Sequence, residues 1–392
     1  MLQAIDSSVR KSQLVGILET VCQELELSDT QYKTAESRYK AVGDWLFSSE
    51  NALFHGAEIY PQGSFAIRTT VKPMGSEEHD LDLVCHVPKF SPTAQPSELK
   101  RLIGDRLRDN ATYSSMLEEK SRCWRITYAN EFHLDITPST YNPACARGGE
   151  LVPDKKVNRW KPSNPRGYRS WFEDRAKLQP RLLLHESHLV EALRQVEDLP
   201  TPTRFKGFLP RIVQLCKRHR DVWFSTKDSS LAPISIILTT LLAKSYAFCI
   251  EKVPCENEFD LFIEVFRHAE KFIDIQLRNG LWQYCIWNDT TLHENFAEKW
   301  NHDVRLADNF FSWHKQALAD FANLPSVSGL DEIRQSLSPV FGETVISKAM
   351  SSLTSSINSH RSKGTLAVGT GLGLTNIRPN TVPIRSNTFY GR

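Results

Sequence analysis

His79-Asp80-Leu81-Asp82-Leu83-Val84-Cys85 is the stretch that decides how this chain is read. From Asp80 onward acidic and apolar residues alternate, which is the period of a strand whose residues two apart share a face. Asp80 and Asp82 then project together while Leu81 and Leu83 enter the core. Two carboxylates held that close repel unless a cation lies between them. Magnesium suits the pair, because it takes hard oxygen ligands and completes its shell with phosphates and water. An acidic strand face turned to solvent has the same alternation, so the flanking sequence must decide.

Upstream stands Tyr60-Pro61-Gln62-Gly63-Ser64-Phe65. A glycine lets backbone amides approach phosphate oxygens, and the adjacent serine adds a hydroxyl. Downstream, Arg125-Ile126-Thr127-Tyr128 and Phe132-His133-Leu134-Asp135-Ile136 flank Ala129-Asn130-Glu131 and read as a hairpin. Leu134 and Ile136 face inward there, so Asp135 becomes a third carboxylate. Three carboxylates can hold two ions, one activating an attacking hydroxyl and one neutralising a triphosphate and its leaving pyrophosphate. Asp135 could also help remove the hydroxyl proton. A Gly-Ser turn, an Asp-x-Asp strand and a lone Asp on a later strand form a more specific set than any one of them. His79 reads as a loop residue and His133 as structural or acceptor-facing.

Farther out, 392 residues suit two packed lobes. Ser28-Asp29 starts a helix with a buried stripe of Tyr32, Ala35, Tyr39, Val42 and Leu46 that ends before Ser48. Ser97 to Arg108 is helical, and Pro138 to Pro165 reads as an irregular connection. Helical patterns follow over about 168–196, 206–224, 232–252, 258–280, 293–322 and 330–360. The apolar run Ile234–Leu242 is too short to cross a bilayer and reads as a buried helix. Residues 364–392 read as a mobile tail. The fold class expected is α+β, with helices over 1–50, a mixed-sheet catalytic core over 51–165, a helical lobe over 166–362 and a basic tail over 363–392. Trp160, Trp171, Trp223, Trp282, Trp287 and Trp300 read mostly as core.

Eight cysteines without a Cys-x-x-Cys pair argue against zinc and for a reducing compartment, and the N-terminus has no export signal, so a cytoplasmic location is expected. The net +2 splits into +6 beyond Thr344 and −4 over residues 1–343. A mildly acidic body is not built to grip long nucleic acid, and no membrane partner is expected.

Gly63-Ser64, Asp80-Leu81-Asp82 and Asp135 are similar to the signature of the polymerase-beta-like nucleotidyltransferases. Ser37–Leu46, Tyr60–Phe65, His79–Cys85, Ser163–Tyr168 with Trp171-Phe172, and Glu294–Trp300 resemble, within that superfamily, the bacterial cGAS/DncV-like nucleotidyltransferases of anti-phage signalling. The likeness runs from about residue 30 to 300. Fifteen residues separate Ser64 from Asp80, a few more than usual, with the excess expected in Met74–His79.

The resemblance implies catalytic, metal-holding Asp80, Asp82 and Asp135 with two Mg2+ ions, or Mn2+ in their place. It implies that Gln62, Gly63 and Ser64 contact nucleotide and that Lys217 and Ser235 contact the donor triphosphate; the plainer alternatives are a solvated Lys217 and a Ser235 that only packs. It further implies ATP and GTP as substrates, a cyclic GMP-AMP product sensed by a downstream effector, and ubiquitin-like conjugation enzymes acting on the tail Thr388–Arg392. Two rivals keep the same fold: linear transfer to RNA ends or a small molecule, and a non-catalytic binding module.

Overall fold

The computed structural model describes residues 2–75, 79–128, 132–154, 158–180, 182, 206–278, 280–327, 329–369, 373–376 and 381–383. A seven-stranded mixed sheet dominates the first half, running in the order β1 (Glu58–Pro61), β2 (His79–His86), β5 (Phe132–Tyr141), β4 (Trp124–Tyr128), β3 (Leu117–Glu119). β6 (Glu150–Asp154) pairs with the far end of β5 and with β7 (Arg159–Ser163). β2 and β5 are parallel, and the remaining pairs are antiparallel. The hairpin expected from Arg125 to Ile136 is present as β4–β5.

Two cores form, and the first two helices divide between them. α1 (Leu2–Glu24) buries Leu14, Ile17, Leu18 and Val21 in the helical lobe. α2 (Asp29–Phe47) buries Ala35, Val42 and Leu46 against Leu81, Leu83, Leu134 and Ile136 of the sheet. α2 begins in a capping box, Ser28 accepting from the Gln31 amide while the Gln31 side chain returns to the Ser28 backbone. α3 is the single turn Gly63–Ala66 and α4 (Pro96–Arg108) covers the sheet, its N1 proline losing no helical hydrogen bond. α5 is the turn Ala111–Ser114, and α6 (Pro165–Ala176) sends Tyr168 and Phe172 into the helical core. α7 (Phe208–Phe224), α8 (Ser235–Lys252), α9 (Glu258–His268), α10 (Arg305–Asn323), α11 (Leu330–Phe341) and α12 (Glu343–Ser362) complete that lobe. The segment Ser229–Lys252 is apolar and long enough to cross a membrane, yet 61% of its most apolar window is buried inside the molecule, the burial expected of a core helix. All eight cysteines are free, and all but Cys123 are buried.

Several expectations are corrected. Pro138–Pro165 is not an irregular connection, since it carries the end of β5 and the β6–β7 hairpin. The helix expected over 258–280 stops at His268, and β8 (Asp274–Arg278) then pairs with β9 (Leu281–Cys285). The 293–322 helix starts only at Arg305. Tyr32 is exposed and stacks on Phe65 instead of packing in the stripe's core, Trp282 is exposed on β9, and His79 opens β2. Part of the expected tail is ordered: Leu366–Gly369, Gly373–Asn376 and Thr381–Pro383 pair as three antiparallel strands. Ser76–Glu78, most of the 177–205 segment and Thr388–Arg392 lie outside the described residues.

Candidate active site

The site grows from the alternation of β2. Leu81 and Leu83 are buried, which fixes the strand's face and turns Asp80 and Asp82 the other way. Parallel pairing sets Asp82 beside Asp135 and Asp80 beside His133. Burial and the neighbouring Asp135 and Asp80 charges push Asp82 up to about 6. Burial likewise raises Asp80, against the pull of Arg125.

Arg125, on β4 opposite Asp135, was not singled out by the sequence. Its Nε and Nη2 donate to Asp135 Oδ1 and Oδ2 at 2.7 and 2.8 Å, and Nη2 lies 3.0 Å from Asp80 Oδ1. The guanidinium thus stands as the counter-charge of an acidic face. Among the described residues no three carboxylate, imidazole or thiol groups converge closely enough to hold an ion unaided. Cys123 lies against Asp135; burial foremost, then that carboxylate, pushes its thiol up to about 12.

Above the strands, the Gln62 amide donates to Asp82 O at 2.8 Å, which carries β1 directly into the Gly63-Ser64 turn. Gly63 has φ +61°, and a Cβ there would meet Asp82 Oδ2 at 2.6 Å, so only glycine lets the turn close over the carboxylate. The Gln62 side chain donates to Thr137 Oγ1 at 3.3 Å. Gln62, Gly63 and Ser64 line a cleft of about 1200 Å³ between the lobes, together with Asp80, Asp82, Tyr168, Lys217, Arg220, Ser235, Asn288, Glu294 and Phe296.

Lys217 is not a solvated charge. Its ammonium is buried, donates to Thr69 O and Thr69 Oγ1 at 3.1 and 3.0 Å, and is lowered by burial to about 7. Thr69 N in turn donates to Ser64 O, so the lysine braces the turn from behind. Ser235, at the start of α8, accepts from Arg220 at 3.1 Å, and Arg220 also holds Asp221. Arg220 is a cleft cation to which the sequence alone assigned no role. It sits next to the Lys217-Arg218-His219 run, where composition alone does not say which charge turns inward.

The fold and site define a nucleotidyltransferase, with a glycine turn closing over an acidic pair of parallel strands at an interlobe cleft. The family described as the Second Messenger Oligonucleotide or Dinucleotide Synthetase domain matches residues 13–176. A c-di-GMP synthase of Roseivirga ehrenbergii is 31% identical over 392 residues, covering 98% of this chain and 99% of that protein. The chain belongs to the bacterial cGAS/DncV-like nucleotidyltransferases, the cyclic oligonucleotide synthases known as CD-NTases. The cyclic dinucleotide synthase CdnG of Bradyrhizobium diazoefficiens is 25% identical over 357 residues, 86% of this chain and 82% of that one. Its structure in complex with GTP aligns with a TM-score of 0.64 at 22% identity over 90% of this chain and 99% of that chain. Escherichia coli MS115-1 CdnC with ATP aligns at a TM-score of 0.60 and 12% identity, covering 83% and 96%. At those identities the two structures show the fold alone.

Proposed function

We propose that this chain condenses two GTP molecules into cyclic di-GMP, releasing two pyrophosphates. The observation that carries the reading is the register placing Asp82 beside Asp135 under the Gly63 turn, at a cleft spacious enough for two nucleotides. The Roseivirga relative favours two guanines over the mixed cyclic GMP-AMP ring expected from sequence. A downstream effector that senses the product belongs to the same proposal.

The acidic face fits a divalent cation. Asp82 is buried beside two further carboxylates, which raises its pKa, and a guanidinium already bridges those two partners. Asp80, Asp82 and Asp135 would hold the ions, which when bound supply Lewis-acid activation of the attacking hydroxyl and neutralise the triphosphate. Magnesium, with manganese as a substitute, matches such a donor set. Gly63 and Ser64 offer backbone and hydroxyl donors to the phosphates, with Gln62 holding the turn to β5. Lys217 keeps that turn in place through Thr69, and Arg220 with Ser235 presents a cation and a hydroxyl from the opposite lobe. The transfer forms a ribose O–P bond and breaks the bond to pyrophosphate; a second round closes the ring without a template.

Purified protein incubated with radiolabelled GTP, ATP and Mg2+ should yield a phosphatase-resistant product from GTP alone. Resistant product only when ATP is added would replace cyclic di-GMP by the mixed ring. No resistant product from any mixture of the four triphosphates would overturn cyclase activity, and incorporation that requires RNA would move the chain to linear transfer.

A further inference from the structure

We propose that Glu294, held by Asn288 and flanked by Phe296, reads the Watson–Crick edge of a guanine in the cleft. The inference rests on the nucleotide-binding reading of that cleft and names its base-selecting residue. Glu294, Asn288, Phe296 and Tyr168 all line the same cleft as Asp80 and Asp82. Asn288 Nδ2 donates to Glu294 Oε2 at 2.7 Å. The amide cannot turn over, because its Oδ1 accepts from Thr290 N and Thr290 Oγ1 at 2.9 and 2.7 Å. Backbone pairing of Asn288 N with Glu294 O, and of Phe296 N with Ile286 O, holds the loop ends against β9's continuation. The carboxylate is therefore set at a fixed angle, as a reading group needs to be.

Glu294 has one side-chain donor among the described residues, Asn288. Among the described residues it forms no ion pair: Arg122, on its side of the cleft, is engaged by Asp154 at 2.8 Å, and Lys161 by Glu298 at 2.7 Å. An ionised carboxylate accepts at both oxygens, on about four lone-pair sites, and Asn288 fills one. Burial raises this carboxyl above its ordinary value, against the Asn288 hydrogen bond that lowers it. Guanine supplies donors in the right form, since its N1–H and N2–H are adjacent and match two carboxylate oxygens. Adenine places the N1 lone pair where guanine has a hydrogen, and that lone pair faces the carboxylate with repulsion. Phe296, edge-on to Tyr168 at 5.9 Å, adds aromatic surface to the same cleft for the base's π-face.

A site built to bond a donor rejects the analogue that lacks it. The test measures binding by calorimetry, so it does not depend on ring closure, and uses α,β-methylene analogues of guanosine, inosine and adenosine triphosphates. Inosine keeps N1–H and lacks the N2 amine. The wild type should bind the guanosine analogue at least tenfold more tightly than the inosine one, and adenosine weakest. Glu294→Gln should lose at least tenfold in guanosine affinity and discriminate guanosine from inosine by less than threefold. Equal wild-type affinity for guanosine and inosine, or unchanged discrimination in a folded E294Q protein, would overturn the proposal; should E294Q fail to fold, the wild-type comparison alone decides. Guanosine selectivity without any cyclic product would leave this assignment standing and remove the cyclase reading. Failure to bind all three analogues would remove both.

Discussion

Asp82 carries an electrostatic penalty when no cation is bound. Burial and two neighbouring carboxylates raise it to about 6. A folded-state pKa above the unfolded value means stability that is full at low pH and lost as pH rises through about 6. Metal-free Asp82→Asn should therefore be more stable than wild type by roughly 3 kcal/mol at pH 8, and by about half of that at pH 5. Thermal melts with chelator at both pH values check this, while turnover of the variant should fall at least a thousandfold. Arg125 is the complementary case. Removing it leaves Asp80 and Asp135 without their guanidinium, so Arg125→Ala should lose about 2 kcal/mol in chelator and recover most of it in Mg2+. A variant as stable as wild type in chelator would contradict the counter-charge role. The three aspartates were legible because alternation with Leu81, Leu83, Leu134 and Ile136 fixes their face. Arg125, Arg220 and Glu294 were not, because a lone charge shows its direction only when its partner, distant or on another strand, is in place.

At the scale of elements, the Gly63 turn shows the tightest link between sequence and chemistry. Any side chain there must adopt φ +61° and push into Asp82. Gly63→Ala should cost roughly 1–3 kcal/mol in stability and at least tenfold in turnover, read by melting and by initial rates. A melt and rate matching wild type would show that the turn relaxes freely. The strands β2, β4 and β5 and the helices α2 and α4 declared themselves by period and by caps. β6 and β7 did not. Their prolines, Pro153 and Pro162, and the Gly148-Gly149 pair beside them mimic a loop, yet short edge-type strands accept proline where no ladder hydrogen bond is needed. β8 and β9 were hidden for a different reason. Ile275, Leu277, Leu281 and Trp282 are apolar but exposed, so the burial period used to separate strand from helix was absent.

Across the whole molecule, two cores meet at one cleft, and α7 joins them. Gln214 donates to Thr70 O at 2.9 Å and Lys217 to Thr69, so a helix of one lobe holds the strap that follows the Gly63-Ser64 turn of the other. The division into a sheet lobe and a helical lobe was legible from the change in pattern. The split of α1 and α2 between the cores was not, since both helices carry apolar stripes and neither stripe names its partner. Lys217→Met should leave the melting temperature unchanged or raised, because it removes a buried ammonium already lowered to about 7, yet raise KM for GTP severalfold as the strap loosens. A variant with unaltered kinetics would detach Lys217 from the site.

The most direct measurement is a Mn2+ titration, followed by electron paramagnetic resonance, of the protein saturated with an α,β-methylene GTP analogue. Wild type should take up two ions per chain, beyond those held by the analogue alone, and the Asp82→Asn protein should lose that uptake. Equal uptake by both proteins would show that Asp80, Asp82 and Asp135 do not form the metal site from which the catalytic reading follows.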